Sequence, residues 1–128
     1  MSQKTVLYVE DNEFNRKIVR QLLGATTYRL LEAVDGEQGV ATAIETVPDL
    51  ILMDIQLPKL SGLEATRRLR QEPRTAGIPI IVVTSFALSG DDQKAQEAGA
   101  SAYLAKPYSP RELLAMIRKL APEDLSGG

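Results

Sequence analysis

The chain contains no cysteine and no histidine. The first absence excludes disulfides and thiolate metal sites. The second removes the commonest general base, the usual zinc ligand and any phosphohistidine chemistry within the chain itself. A basic excess is missing too: 15 Lys and Arg stand against 17 Asp and Glu, for a formal charge of −2. That balance lacks the electrostatic footprint of a nucleic-acid binder, so no direct nucleic-acid partner is expected. No apolar run approaches the ~20 residues of a membrane span. The N-terminus MSQKTVLYVEDNEFN turns acidic at once instead of following the basic-then-apolar plan of a signal peptide. The expectation is a cytoplasmic protein with no membrane insertion. Any metal site has to be built from oxygens, which points to Mg²⁺ or Ca²⁺.

What is present is the material of one ordinary domain: 128 residues, 44% hydrophobic and 25% charged. Short apolar runs alternate with segments of helical periodicity. Thr5 to Val9, Tyr28 to Ala33, Leu50 to Met53, Pro79 to Val83 and Ala102 to Leu104 read as strands. Leu50 to Met53 is continuously apolar, as expected of a strand covered on both faces. Between them lie five helices. The first is capped by Asn12, with Phe14, Ile18, Leu22, Val19 and Leu23 at i, i+4 spacing. The second runs from Gly36 to Val47 with Val40, Ile44 and Val47 on one side. The third starts at Ser61 with Leu63 and Leu69 on one face. The fourth covers Ser89 to Ala98. The last begins at Ser109-Pro110 and buries Leu113, Leu114, Ile117 and Leu120. Five strand–helix units predict an α/β, (βα)5 doubly wound fold, flavodoxin-like, with a five-stranded parallel sheet in the order 2-1-3-4-5. A closed eight-fold barrel needs about twice the length. One domain is expected over 1–122, and Glu123 to Gly128 reads as a flexible tail or linker stub.

In such sheets ligands bind at the carboxyl ends of the strands. The first strand ends in Glu10-Asp11, the third in Asp54, the fourth in Thr84-Ser85 and the fifth in Lys106-Pro107. Taken singly these residues have ordinary explanations as helix caps, turn carboxylates and surface charges. Their coincidence at neighbouring strand ends gathers three carboxylates, a hydroxyl and an ammonium on one edge. Unit charges ~4 Å apart repel by about 4 kcal/mol at an effective dielectric near 20, so protons or a divalent cation must relieve the cluster. Mg²⁺ suits it, since it accepts a few carboxylates and leaves room for phosphate oxygens. In that arrangement Asp54 is the nucleophile that carries a phosphoryl group as an acyl phosphate. Glu10 and Asp11 hold the metal, Lys106 places a positive charge on one phosphoryl oxygen, and Thr84 offers a hydroxyl donor to another.

The segments VLYVEDN (Val6 to Asn12), PDLILMDIQLPKLSG (Pro48 to Gly62), PIIVVTSFA (Pro79 to Ala87) and GASAYLAKP (Gly99 to Pro107) occur in order along the chain. With them the sequence resembles the receiver domains of two-component response regulators, the CheY-like superfamily, over about Lys4 to Leu120. The D-I-Q-L-P and T-x-F-A wording is most like single-domain, DivK-type regulators. The resemblance implies a phosphoacceptor signalling switch rather than a conventional enzyme, with only self-directed phosphotransfer and autodephosphorylation. It implies Asp54 as phosphoacceptor, Glu10 and Asp11 as the acidic pair, and a backbone carbonyl of Gln56 on the metal. Thr84 and Tyr103 become the switch pair, and Lys106 is followed by a cis bond to Pro107. The cofactor is Mg²⁺, with Mn²⁺ or Ca²⁺ as substitutes. Gln56 and Phe86 fall where the family tunes phosphoryl lifetime. Phe86 either shields the acyl phosphate, giving slow self-dephosphorylation, or faces a partner surface.

The implied partners are a histidine kinase or histidine phosphotransfer protein as donor and a downstream protein target, with the switch itself a monomer or weak dimer. The signal leaves through the helix–strand–helix face from about Leu88 to Leu120. The segment Ser89 to Ala98 carries only Ala95 and Ala98 as apolar residues, so it is either an easily moved element or simply an exposed helix. A receiver excised from a hybrid histidine kinase or multidomain regulator is the alternative. A flavodoxin-like cofactor protein is disfavoured because Glu10-Asp11-Asn12-Glu13 stands where a phosphate loop belongs. A phosphatase resembling the haloacid dehalogenases is disfavoured because D-x-D-x-T is absent after the first strand.

Overall fold

The computed structural model describes residues 3–84 and 91–123. Ser85 and Phe86 lie outside the described residues, as does the start of the fourth predicted helix. Five strands alternate with five helices: β1 (Thr5–Val9), α1 (Glu13–Gly24), β2 (Arg29–Ala33), α2 (Gly36–Thr46), β3 (Leu50–Asp54), α3 (Gly62–Gln71), β4 (Ile80–Thr84), α4 (Asp91–Ala98), β5 (Ala102–Ala105) and α5 (Pro110–Leu120). All strand pairs are parallel and the sheet order is β2-β1-β3-β4-β5, the order predicted from the sequence.

Side chains alternate across a strand, and here both sides are covered. Val6, Tyr8, Leu50, Leu52, Ile81 and Val83 form one half of the core with Val19 and Leu23 of α1 and Leu113 and Ile117 of α5. Leu7, Val9, Ile51, Met53, Ile80 and Val82 form the other half with Ala43 of α2, Ala65 and Leu69 of α3 and Ala95 of α4. Burying each large aliphatic side chain contributes roughly 1.5–3 kcal/mol, which is why the three central strands are apolar along their middles. The helices are started by polar caps. Asn12, Asp35, Ser61 and Ser109 each accept a backbone N–H three residues on.

Two helices bury only part of the apolar face that the spacing predicts: Val19, Leu22 and Leu23 of α1 and Val40 of α2 pack on the core. In α2 the buried residues are Gly36, Gly39 and Ala43, whereas Val47 is the left-handed C-cap (φ 46°) and is exposed. The reason is a close approach: a Cβ on Gly39 would come within 2.8 Å of the Val9 side chain. In α1 the apolar positions divide. Val19 and Leu23 enter the core, while Phe14 is 69% and Ile18 40% exposed.

Arg70, at the end of α3, binds five acceptors at once. Its guanidinium donates to the carbonyls of Gly99, Thr75, Ala76 and Ile78 and to the Ser101 hydroxyl. It thereby joins the α3–β4 connection to the α4–β5 turn. At the chain's far end, Glu123 accepts from the Thr27 amide and hydroxyl and from Arg118. Glu123 is therefore fastened to the body of the fold, although the sequence placed it in a flexible tail; 124–128 lie outside the described residues.

One glycine links the fold to the chemistry. Gly62 opens α3 with its amide donating to the Ile55 carbonyl, and a Cβ there would overlap the backbone carbonyl of Asp54. Gly62→Ala is expected to destabilise the protein by about 2–3 kcal/mol through overpacking, read as a lower urea midpoint with unchanged slope. A midpoint equal to that of the unsubstituted protein would contradict the close approach.

Candidate functional site

The carboxyl ends of β1, β3, β4 and β5 meet at one pole of the sheet because these four strands are neighbours in the order β1-β3-β4-β5. Each strand delivers a polar group from an otherwise apolar run. β3 ends in Asp54, 4% exposed; β1 runs into Glu10, 2% exposed; β4 ends in Thr84, 1% exposed. β5 leads into Lys106, whose amide donates to the Thr84 carbonyl at 2.7 Å. The Lys106–Pro107 peptide bond is cis.

Lys106 is the centre of the arrangement. Its Nζ donates to Glu10 Oε1 at 2.9 Å and to Asp54 Oδ2 at 3.2 Å. Asp54 Oδ1 accepts the Gln56 amide at 2.8 Å, so the backbone just after β3 orients the carboxyl. Glu10 is held from several sides. Its Oε1 also accepts from the Tyr8 hydroxyl and from Asn15 Nδ2, both at 3.2 Å, and its Oε2 accepts from the Asn12 amide at 3.3 Å. Arg16 donates to the Glu10 carbonyl at 2.8 Å while pairing with Glu13 and Glu32.

Two buried carboxyls thus share one ammonium, and the charge does not balance. Burial foremost, and then the Glu10 carboxyl beside it, push Asp54 up to about 7. Burial also acts to raise Glu10, but hydrogen bonds from Asp54 and Lys106 outweigh it and hold Glu10 down at about 2. Lys106 is raised: burial opposes its charge, and the Glu10 hydrogen bond and the two carboxylates more than offset that. Near neutral pH the site therefore holds a charged Glu10–Lys106 pair and a reluctant carboxyl on Asp54, a group that gains from an added cation.

Of the residues predicted for this site, Glu10, Asp54, Thr84 and Lys106 come together. Asp11 does not join them; its side chain is exposed at the rim. Among the described residues no three acidic side chains surround one point. The physical reason is that Lys106, Tyr8 and Asn15 draw Glu10 inward, while nothing buried competes with water for Asp11. Gln56 is exposed, and only its amide touches Asp54. Tyr103 is half-buried on β5, opposite Val82, and borders a shallow cleft with Asp92, Ala95 and Gln96 of α4. The predicted role of Phe86 falls outside the described residues.

Tyr8 and Asn15 are absent from the sequence-derived set. The signal for Tyr8 was available: it stands two residues before Glu10 and so shares its face of the chain. Beside this network lies a cavity of about 270 Å³ lined by Ile18 and Leu22 of α1 and by Lys106, Pro107, Tyr108 and Leu113.

Comparisons agree with this geometry. Residues 6–118 match the profile of the family described as "Response regulator receiver domain". The polar-differentiation response regulator DivK of Brucella anthropi is 43% identical over 115 residues, covering 90% of this chain and 94% of that protein. The receiver domain of the sensor histidine kinase PA1611 from Pseudomonas aeruginosa, solved with magnesium in its active site cleft, superposes with a TM-score of 0.87. It is 37% identical, covering 94% of this chain and 98% of that one. The chemotaxis protein CheY4 of Vibrio cholerae superposes with a TM-score of 0.86 at 27% identity, covering 93% and 99%.

Proposed function

Because this chain belongs to the response regulator receiver domain family, we propose that Asp54 is the phosphoacceptor of a two-component switch. The observation that carries the reading is the buried Glu10–Lys106–Asp54 cluster at the strand ends. A carboxylate oxygen of Asp54 attacks the phosphorus of a phosphohistidine on a histidine kinase or phosphotransfer protein. The P–O bond forms, the P–N bond breaks, and the imidazole, already protonated on its other ring nitrogen, leaves as the donor's neutral histidine. Lys106 exchanges its contacts with Asp54 for a phosphoryl oxygen, and the Thr84 hydroxyl donates to another.

The residues present fit a hard divalent cation. All their donors are oxygens, and the site has one carboxyl more than its ammonium can neutralise. Glu10, Asp11, Asp54 and the Gln56 carbonyl are the groups assigned to Mg²⁺, with Asp11 turning in from the rim. When bound, Mg²⁺ neutralises charge on the carboxylates and the phosphoryl oxygens.

Thr84 and Tyr103 form the switch pair, and output is by binding a protein target through the face made by α4, β5 and α5. The weak anchoring of α4, whose buried apolar residues are Ala95 and Ala98, supports this. The chain matches both the response regulator DivK, over 94% of its length, and the receiver domain of a sensor histidine kinase, over 98%. The switch acts in the cytoplasm; no described helix is long and apolar enough to cross a membrane.

The test is incubation with acetyl phosphate, with and without Mg²⁺, followed by intact mass. A Mg²⁺-dependent gain of one phosphoryl group is expected. No gain under either condition would sink the proposal.

A further inference from the structure

The Glu10 carboxylate is unevenly loaded. Three side-chain donors converge on Oε1, from Tyr8, Asn15 and Lys106, whereas Oε2 accepts the Asn12 amide and the Asp54 carboxyl lies against the same carboxylate. The three donors come from different elements: Tyr8 from β1, Asn15 from α1, and Lys106 from the residue after β5. Tyr8 is itself fixed, being 1% exposed and packed in the core with Val19 and Leu113, with Tyr108 against the same cluster. A phenol so enclosed has little rotational freedom, and its hydroxyl points where the strand sends it. Glu10 in turn cannot rotate without breaking its bonds to all three donors and leaving the buried Tyr8 hydroxyl unmatched.

We propose that Tyr8 and Asn15 are positioning residues that lock Oε1 of Glu10 into the protein and so present Oε2 to the cation. This rests on the receiver reading and extends it to two residues outside the acidic set. The need for them is clearest once phosphorylation begins. Lys106 is then drawn toward the phosphoryl group, and Tyr8 and Asn15 are what remains to hold Glu10. Hydrogen-bonded partners of metal ligands usually account for ten- to hundred-fold in affinity.

The test is calorimetric titration of the metal-free protein with Mg²⁺ at pH 8, for the unsubstituted protein, Tyr8→Phe, Asn15→Ala and the double variant. Each single variant is expected to bind Mg²⁺ about tenfold more weakly. The double variant should fall short of the product of the two, because both act on one oxygen. Tyr28→Phe is the control. Its hydroxyl donates to the Ala121 carbonyl, far from the strand ends that bear the carboxyls, and its Mg²⁺ affinity should not change. Thermal melting without metal separates positioning from folding, since it should shift little in Tyr8→Phe and Asn15→Ala. If Tyr8→Phe does not fold, Asn15→Ala decides the matter alone. Mg²⁺ affinity within twofold of the unsubstituted protein in the folded variants overturns the inference and leaves the receiver reading standing. No Mg²⁺ uptake by the unsubstituted protein overturns both.

Discussion

Asp54→Asn is expected to abolish phosphoryl uptake and, at the same time, to make the metal-free protein more stable at pH 8. The first effect follows from loss of the nucleophilic oxygen. The second follows from the charge left unbalanced in the native site. Asp54 is raised to about 7 when folded, whereas an unfolded Asp titrates near 3.9. Between those values the folded chain binds more protons than the unfolded one, so stability falls as pH rises through that window. Glu10 works in the opposite sense: it is lowered to about 2, and its contribution is complete by about pH 5. From pH 5 to 7.5 the Asp54 effect stands alone, in a chain without histidine. It should cost on the order of 2 kcal/mol. Denaturant melts of the metal-free protein should show this decline, and Asp54→Asn should flatten it. Saturating Mg²⁺ should flatten it too, by stabilising the charged carboxylate. A decline that persists in Asp54→Asn would show that another group causes it.

Lys106→Met should produce the opposite stability change and a similar functional loss. The Lys106 side chain is only 17% exposed and its ammonium bridges two carboxyls. Without it, Glu10 and Asp54 face each other with no cation, and breaking a buried pair by removing one partner costs about 3–5 kcal/mol. The destabilisation should be largest at pH 8, where Asp54 is ionised, and smaller at pH 5, where a proton substitutes for the lost charge. Phosphorylation from acetyl phosphate should slow about 100-fold, the usual scale for losing one electrostatic donor to a developing oxyanion. A variant as stable as the parent at pH 8 and phosphorylated at the parental rate would disprove the central role given to Lys106.

The sheet was legible because its strands are continuous apolar runs and its helices carry clear caps. Leu50 to Met53 admits little but a central strand, and Asn12, Ser61 and Ser109 each mark the helix start found in the structure. The α2 face was only partly legible from apolar spacing: Val40 packs on the core, but the closest contact is made by what Gly39 and Ala43 lack. Phe14 and Ile18 carry the right period, yet the sheet covers only part of the circumference of α1, and periodicity alone does not say where cover ends. At the candidate site, strand-end logic located Glu10, Asp54, Thr84 and Lys106. It set Asp11 beside Glu10, whereas Asp11 stands exposed at the rim, because sequence adjacency says nothing about which of two acids turns inward. Tyr8 reads only as part of the apolar run Thr5 to Val9, which gives no weight to its hydroxyl. Glu123 was assigned to the tail because no local pattern announces a partner as distant as Thr27.

The five-acceptor grip of Arg70 bears on how α4 is able to move. Its bond to the Gly99 carbonyl fastens the chain just beyond the last residue of that helix. Along its length α4 is held by little more than two alanines. A rod pinned at one end and loosely seated elsewhere behaves as a lever with its fulcrum at the pin. Eight residues make a lever of about 12 Å. A tilt of roughly 10° would then carry the far end, the one nearer β4, by about 2 Å while the Gly99 end stays in place. Small rearrangements at the end of β4 would thus emerge as a directional swing of one helix rather than a loosening of the whole face.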